Sequence, residues 1–128
     1  MTEKKQVLIV DDAQFTRTML RKIIQQLDYV EICGEAKNGN EALTQYKKLK
    51  PDLVTMDLVM PEKGGIEAIE AIKKTDSMAT IVVVSALGQE ALVMEAAQKG
   101  AKDFITKPFK KEQIFDVMNR IFNQKANA

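Results

Sequence analysis

The chain has a single cysteine, Cys33, so no disulfide can close within it, and a reducing, cytoplasmic setting is the simple reading. Cys33 itself is expected as a small core residue. Charge of one sign is also missing: 19 Lys and Arg against 18 Asp and Glu leave a net charge of +1. A grip on a nucleic-acid backbone needs a face of several unpaired basic residues, so this balance argues against DNA or RNA as a partner. No apolar run is long enough to cross a bilayer. Met1-Thr2-Glu3-Lys4-Lys5 leads straight into the first apolar run, without the hydrophobic stretch of a secretion signal, so no membrane association is expected. Repeats, low-complexity segments and linkers are absent too, and 128 residues suit one domain, 1–128, with one core. At 45% hydrophobic and 29% charged, the composition is that of a globular protein and not of a disordered or fibrous one.

What is present begins with two short apolar runs that stop on carboxylates. Val7-Leu8-Ile9-Val10 ends on Asp11-Asp12, and Leu53-Val54-Thr55-Met56 ends on Asp57. Short runs rich in Val, Ile and Leu read as strands buried on both faces, and in open α/β sheets ligands bind outside the carboxyl ends of such strands. Three acids therefore converge where ligands bind. Like charges held together raise one another's pKa values unless a cation neutralises them, so the cluster points to a bound metal or a shared proton, and a metal is favoured. A glycine-rich phosphate loop is lacking after the first run, where Asp11-Asp12-Ala13 would repel phosphate. That disfavours a flavin-binding or nucleotide-binding protein.

Strand-like and helix-like segments alternate along the whole chain. After Val7 to Val10, the residues Phe15, Met19, Leu20, Ile23, Ile24 and Leu27 recur at helical spacing and predict one apolar face. A second strand is expected over Glu31 to Ala36, with Asn38-Gly39 as its turn, then a helix carrying Ala42, Leu43, Tyr46 and Leu49 that Pro51 closes. Leu53 to Met56 is the third strand, followed past Pro61 and Gly64-Gly65 by a helix with Ile66, Ile69 and Ile72 on one side. Ile81 to Val84 is the fourth strand. The next helix runs from about Gln89 to Lys99 and ends at Gly100 as a left-handed cap. Phe104 and Ile105 form the fifth strand, and Ile114, Phe115, Met118, Ile121 and Phe122 lie on the last helix. Five strands in βαβ sequence imply a doubly wound parallel α/β sheet with helices on both faces.

The strand ends carry complementary chemistry. Asp11 and Asp12 follow the first strand, Asp57 the third, Ser85 the fourth, and Lys107-Pro108 the fifth. Only the second delivers nothing reactive, since Glu35-Ala36-Lys37 reads as solvated surface. Acids, a hydroxyl and an ammonium around one crevice suit phosphoryl transfer, because Mg²⁺ takes oxygen ligands while phosphoryl oxygens take cations and donors.

Val7-Leu8-Ile9-Val10-Asp11-Asp12, Met56-Asp57 with Met60-Pro61 and Gly65, Ser85-Ala86, and Lys107-Pro108-Phe109 together resemble the receiver domain of two-component response regulators, in its stand-alone chemotaxis form. Each stretch alone is weak; all four in order at the right strand ends are specific. The resemblance covers essentially the whole chain and implies the flavodoxin-like strand order 2-1-3-4-5 with five helices. It implies that Asp57 is the phosphate acceptor, attacking a phosphohistidine to form an acyl phosphate. It further implies Mg²⁺ held by Asp11, Asp12, Asp57 and the backbone carbonyl of Val59, with Lys107 as a point charge on the phosphoryl group and a cis peptide at Lys107-Pro108. Ser85 and Phe104 would form the switch, the serine donating to the phosphoryl group while the ring turns toward the vacated space. The chain has no histidine, so a partner histidine kinase must supply the phosphoryl group. The expected output is binding to a flagellar motor switch protein through the fourth helix, fifth strand and last helix. A phosphotransfer protein in a relay, or a role as phosphate sink, are the alternatives, and a phosphatase is a further class of partner.

Simpler readings exist for single residues. Asp11-Asp12 alone reads equally as a helix N-cap, Asp57 as a turn residue, Ser85 as a loop or capping residue, Lys107 as a solvated lysine and Phe104 as a core aromatic. Met56, Met60, Met78 and Met94 read as gap fillers. An aspartyl-nucleophile phosphatase shares the chemistry but carries a second aspartate two residues past the nucleophile, where this chain has Val59. The chain departs from frequent family patterns at Phe104, which lacks a tyrosine hydroxyl, at Gly64, and at Val59 and Leu87, which cannot orient an attacking water. Those two predict slow self-hydrolysis of the acyl phosphate.

Overall fold

A computed structural model describes residues 3–124, so Met1 and Thr2 lie outside the described residues. Strands and helices alternate as β1 (Lys5–Val10), α1 (Gln14–Ile24), β2 (Val30–Ala36), α2 (Gly39–Leu49), β3 (Leu53–Asp57), α3 (Gly65–Thr75), β4 (Ile81–Ala86), α4 (Glu90–Gln98), β5 (Asp103–Lys107) and α5 (Lys111–Ile121). The strands form one parallel sheet in the order β2-β1-β3-β4-β5, the flavodoxin-like arrangement.

Strand alternation divides the core in two. Leu8, Val10, Val54, Met56, Ile81 and Val83 point to the face covered by α2, α3 and α4, where they meet Ala42, Tyr46, Ile69, Ile72 and Ala96. Val7, Ile9, Leu53, Val82, Val84 and Ile105 point to the other face, against Leu20 and Ile24 of α1 and Ile114, Val117 and Met118 of α5. Central strands buried on both sides explain why β1, β3 and β4 are near-continuous apolar runs. Each large aliphatic so buried contributes about 1.5–3 kcal/mol.

Several expectations need correction. Phe15 and Met19 are exposed, at 68% and 40%. At 100° per residue they turn well away from Leu20 and Ile24, which alone of the α1 residues reach the core fully. Asn38-Gly39 is not a free turn but the start of α2, with the Asn38 side chain accepting the Glu41 N–H at 2.8 Å. Asp11 and Asp12 do not cap α1, whose N-cap is Ala13. Cys33 is half-buried at the edge of the core, because β2 is an outer strand. Met56 and Met60 fill the core, whereas Met78 and Met94 are exposed at 83% and 67%. Gly100 does adopt the left-handed conformation after α4, with φ 113°.

Because the strands are parallel, their carboxyl ends share one edge. Register aligns Val10 with Met56, Asp57 with Val84, and Ala86 with Lys107, so residues at these positions lie side by side. Strands run further than the apolar stretches predict: Asp57, Ser85 and Lys107 are strand residues and not loop residues.

Candidate functional site

Asp57 closes β3 and is buried, with 5% of its surface exposed. Asp11, one residue beyond β1, is buried to 1%, while its neighbour Asp12 is exposed. One carboxylate oxygen from each of the three lies within 4.8 Å of the others. An all-oxygen donor set is what Mg²⁺ requires, so Asp11, Asp12 and Asp57 are the side chains that would hold such an ion.

Lys107, at the end of β5, reaches into this cluster. Its ammonium donates to Asp11 Oδ2 at 3.1 Å and lies 3.7 Å from Asp57 Oδ1. Asp11 Oδ1 accepts the Ala13 N–H at 2.9 Å, which fixes the carboxylate from its other side. Burial and then the Asp11 carboxylate push the Asp57 carboxyl up to about 6, with Asp12 adding to the rise and Lys107 and a long Val59 N–H contact offsetting part of it. One ammonium therefore does not neutralise the cluster. The peptide between Lys107 and Pro108 is cis.

Glycine serves the site at Gly65, the first residue of α3. A Cβ there would collide with the Asp57 carbonyl and lie 2.7 Å from Leu58 Cα, so any side chain would displace the backbone that carries Asp57. The loop from Leu58 to Gly64 is tied down at its far end. Gly39 N–H donates to the Lys63 carbonyl at 2.9 Å, and Asn38 Nδ2 donates to Glu62 Oε2 at 2.9 Å. Val59 on this loop is 54% exposed and Leu87 across the sheet edge is 78% exposed.

Ser85 is buried at 5% and aligned with Thr106 on β5. With Leu87, Val93, Met94, Phe104 and Thr106 it lines a groove of about 270 Å³ between the β4–α4 loop, α4 and β5. Phe104 is half-buried and also borders a second hollow of about 480 Å³ with Pro108, Gln113 and Val117. Phe104 thus borders two hollows, one of which it shares with Ser85.

The structure therefore brings Asp11, Asp12, Asp57 and Lys107 into one cluster, with Ser85 on the same strand edge and Phe104 across the groove from Ser85. It also corrects the reading of Glu35-Ala36-Lys37. Ala36 is buried, Lys37 is exposed, and Glu35 is half-buried in ion pairs with Arg17 at 2.8 Å and Arg21 at 2.6 Å. Burial pushes the Glu35 carboxyl up, but hydrogen bonds from Arg21 and Arg17 outweigh it and hold it below the usual carboxylate value. The signal in the sequence was the Arg17, Arg21 pair at i,i+4 spacing, two cations on one side of a helix.

Comparison with known proteins agrees with this geometry. Residues 7–119 match the family model described as the response regulator receiver domain. The chain is 55% identical to the chemotaxis protein CheY of Thermotoga maritima and 46% identical to that of Bacillus subtilis, in each case over 91% of this chain and 97% of the relative. Among solved structures, the response regulator domain of Thermotoga maritima CheB superposes with a TM-score of 0.86 at 35% identity, covering 97% of this chain and all of that one. CheY in a CheX-CheY-BeF3-Mg+2 complex from Borrelia burgdorferi does so with 0.88 at 36% identity, covering 94% of this chain and 90% of that one. On its sheet order, its acidic cluster and these matches, the chain belongs to the response regulator receiver domain family.

Proposed function

We propose that this chain is a chemotaxis response regulator that accepts a phosphoryl group on Asp57 from a histidine kinase and signals by phosphorylation-dependent protein binding in the cytoplasm. The observation that carries the reading is the convergence of three carboxylates and the Lys107 ammonium at one sheet edge. Asp11, Asp12, Asp57 and the Val59 carbonyl are the groups that would hold Mg²⁺, and the ion supplies the positive charge that phosphoryl oxygens need in the transition state. In the transfer itself an Asp57 carboxylate oxygen attacks phosphorus, the P–N bond to the donor imidazole breaks, and that nitrogen keeps the bonding pair. Lys107 lies close enough to Asp57 to pair with the arriving phosphoryl oxygens. Ser85 donates its hydroxyl to the same group, drawing the β4–α4 loop inward, and Phe104 moves within the groove the two residues share.

The output follows from the surface that moves. The groove at Ser85 opens onto α4 and β5, so a flagellar motor switch protein that reads α4, β5 and α5 would sense the change. The high identity to chemotaxis proteins over nearly their full length favours this partner over a phosphotransfer protein or a phosphate-sink role. The complex containing CheX and CheY makes a dedicated phosphatase a reasonable further partner. A radiolabelled phospho-kinase tests the reading: label moves to the wild type and not to Asp57→Asn. Beryllofluoride-treated protein should then bind a motor-switch peptide more tightly than untreated protein. Transfer with no gain in motor-switch binding, but with binding to a phosphotransfer domain, would move the chain to a relay.

A further inference from the structure

Arg17 has no part in the chemistry described above, yet its side chain is only 15% exposed and one of its hydrogen bonds reaches the backbone of the acidic cluster. Its Nη1 donates to the Asp11 backbone carbonyl at 2.6 Å, and its Nε donates to Glu35 Oε1 at 2.8 Å. The other oxygen of Glu35 accepts from Arg21, one helical turn further on, at 2.8 Å from Nε. Glu35 lies opposite Ile9 in the β1–β2 register, so the three charges tie α1 and β2 to the point where β1 leaves the sheet.

The carbonyl that Arg17 holds belongs to the planar peptide between Asp11 and Asp12, so fixing it orients both Cα atoms from which the two carboxylates hang. The Asp11 N–H is held on the other side by the Ala36 carbonyl at 3.0 Å. We infer that Arg17, kept in place by Glu35, is a positioning residue that sets the Asp11-Asp12 peptide for Mg²⁺ binding. The inference rests on the reading of Asp11, Asp12 and Asp57 as the Mg²⁺ site. Groups that orient metal ligands typically contribute 10–100-fold to metal affinity.

The sign of the effect separates positioning from simple electrostatics. Arg17 is a cation near a cation site, so by Coulomb attraction and repulsion alone its removal tightens Mg²⁺ binding. Loss of positioning weakens it.

Calorimetric titration of the full chain with Mg²⁺ alone is the test, on wild type, Arg17→Met, Glu35→Gln, Asp12→Asn and Val117→Ala. Arg17→Met keeps the aliphatic stem without the fork, and Val117→Ala loosens the core on the face that α1 shares without touching the site. The expected result is an affinity about tenfold weaker for Arg17→Met, a smaller loss for Glu35→Gln, and none for Val117→Ala. The double variant Arg17→Met/Glu35→Gln should bind no worse than Arg17→Met. Wild-type or tighter binding by Arg17→Met, with binding lost in Asp12→Asn, overturns the positioning role and leaves the metal site standing. Equal weakening by Val117→Ala overturns it too. Binding unchanged in Asp12→Asn overturns the metal site itself. Should circular dichroism show Arg17→Met unfolded, Glu35→Gln decides, and wild-type affinity there rejects the inference.

Discussion

The proposed role of Asp57 as nucleophile requires it to be ionised, yet it is buried beside another carboxylate. Its pKa, raised from 3.8 to about 6, reports that conflict. The sign of the linkage follows. A carboxyl whose folded value lies above its unfolded value lends its full stability below pH 3.8, loses it as pH rises to about 6, and leaves the folded state at its lower plateau above that. Asp57→Asn removes the charge that must be buried. In metal-free buffer the variant should therefore match wild type near pH 4 and exceed it at pH 7 by on the order of 1–2 kcal/mol, since one unit is about 1.4 kcal/mol and solvent at the mouth of the site screens part of it. Urea midpoints at the two pH values check this; an equal difference at both would contradict it. A second residue-scale prediction concerns Val59, exposed beside Asp57 and unable to hold a water. Val59→Asn should shorten the acyl-phosphate lifetime severalfold, read as label decay after the donor is removed. A wild-type lifetime of seconds that the substitution leaves unchanged would sink the idea.

At the scale of elements, the β3–α3 loop depends on the start of α2. Asn38 caps α2 through Glu41 N–H and donates to Glu62, and Gly39 accepts no side chain because Lys63 lies against it. Asn38→Ala should cost about 1 kcal/mol of stability from the lost cap, seen as a lower urea midpoint with an unchanged slope, and should also weaken Mg²⁺ binding by freeing the loop. A midpoint equal to wild type would contradict the cap. Asn38-Gly39 was legible as a break in the chain, but not as a cap that also anchors a loop 24 residues away. The central strands β1, β3 and β4 were legible because both their faces are buried and they carry near-continuous apolar runs, whereas the edge strands β2 and β5 are only partly buried and mix polar with apolar residues. The strand ends were not, because a strand such as β3 or β4 continues into polar residues whose burial depends on neighbouring strands. Phe15 and Met19 misled because helical spacing marks a wide stripe, while only its edge at Leu20 and Ile24 is fully buried. Glu35 misled because its two arginines come from another element, and only the β1–β2 register and the placement of α1 bring them together.

The whole molecule places its reactive groups at one edge of a sheet that is otherwise apolar and packed on both sides. That packed body places Lys107 3.1 Å from Asp11 and 3.7 Å from Asp57, and a groove lined by Ser85 and Phe104 lies beside them. The acidic residues at the strand ends were legible as a cluster. Their unequal surroundings were not: Lys107 pairs with Asp11 and Asp57, and Asp12 is exposed.

The central claim is that this edge moves a phosphoryl group onto Asp57 with help from Mg²⁺, and one measurement addresses it most directly. Wild type and Asp57→Asn are incubated with labelled acetyl phosphate, with Mg²⁺ and with a chelator in its place, and bound label is counted. Stoichiometric label on wild type with Mg²⁺, and background label in the other three samples, is the predicted result. Label that persists in Asp57→Asn, or on wild type without the metal, would contradict the claim.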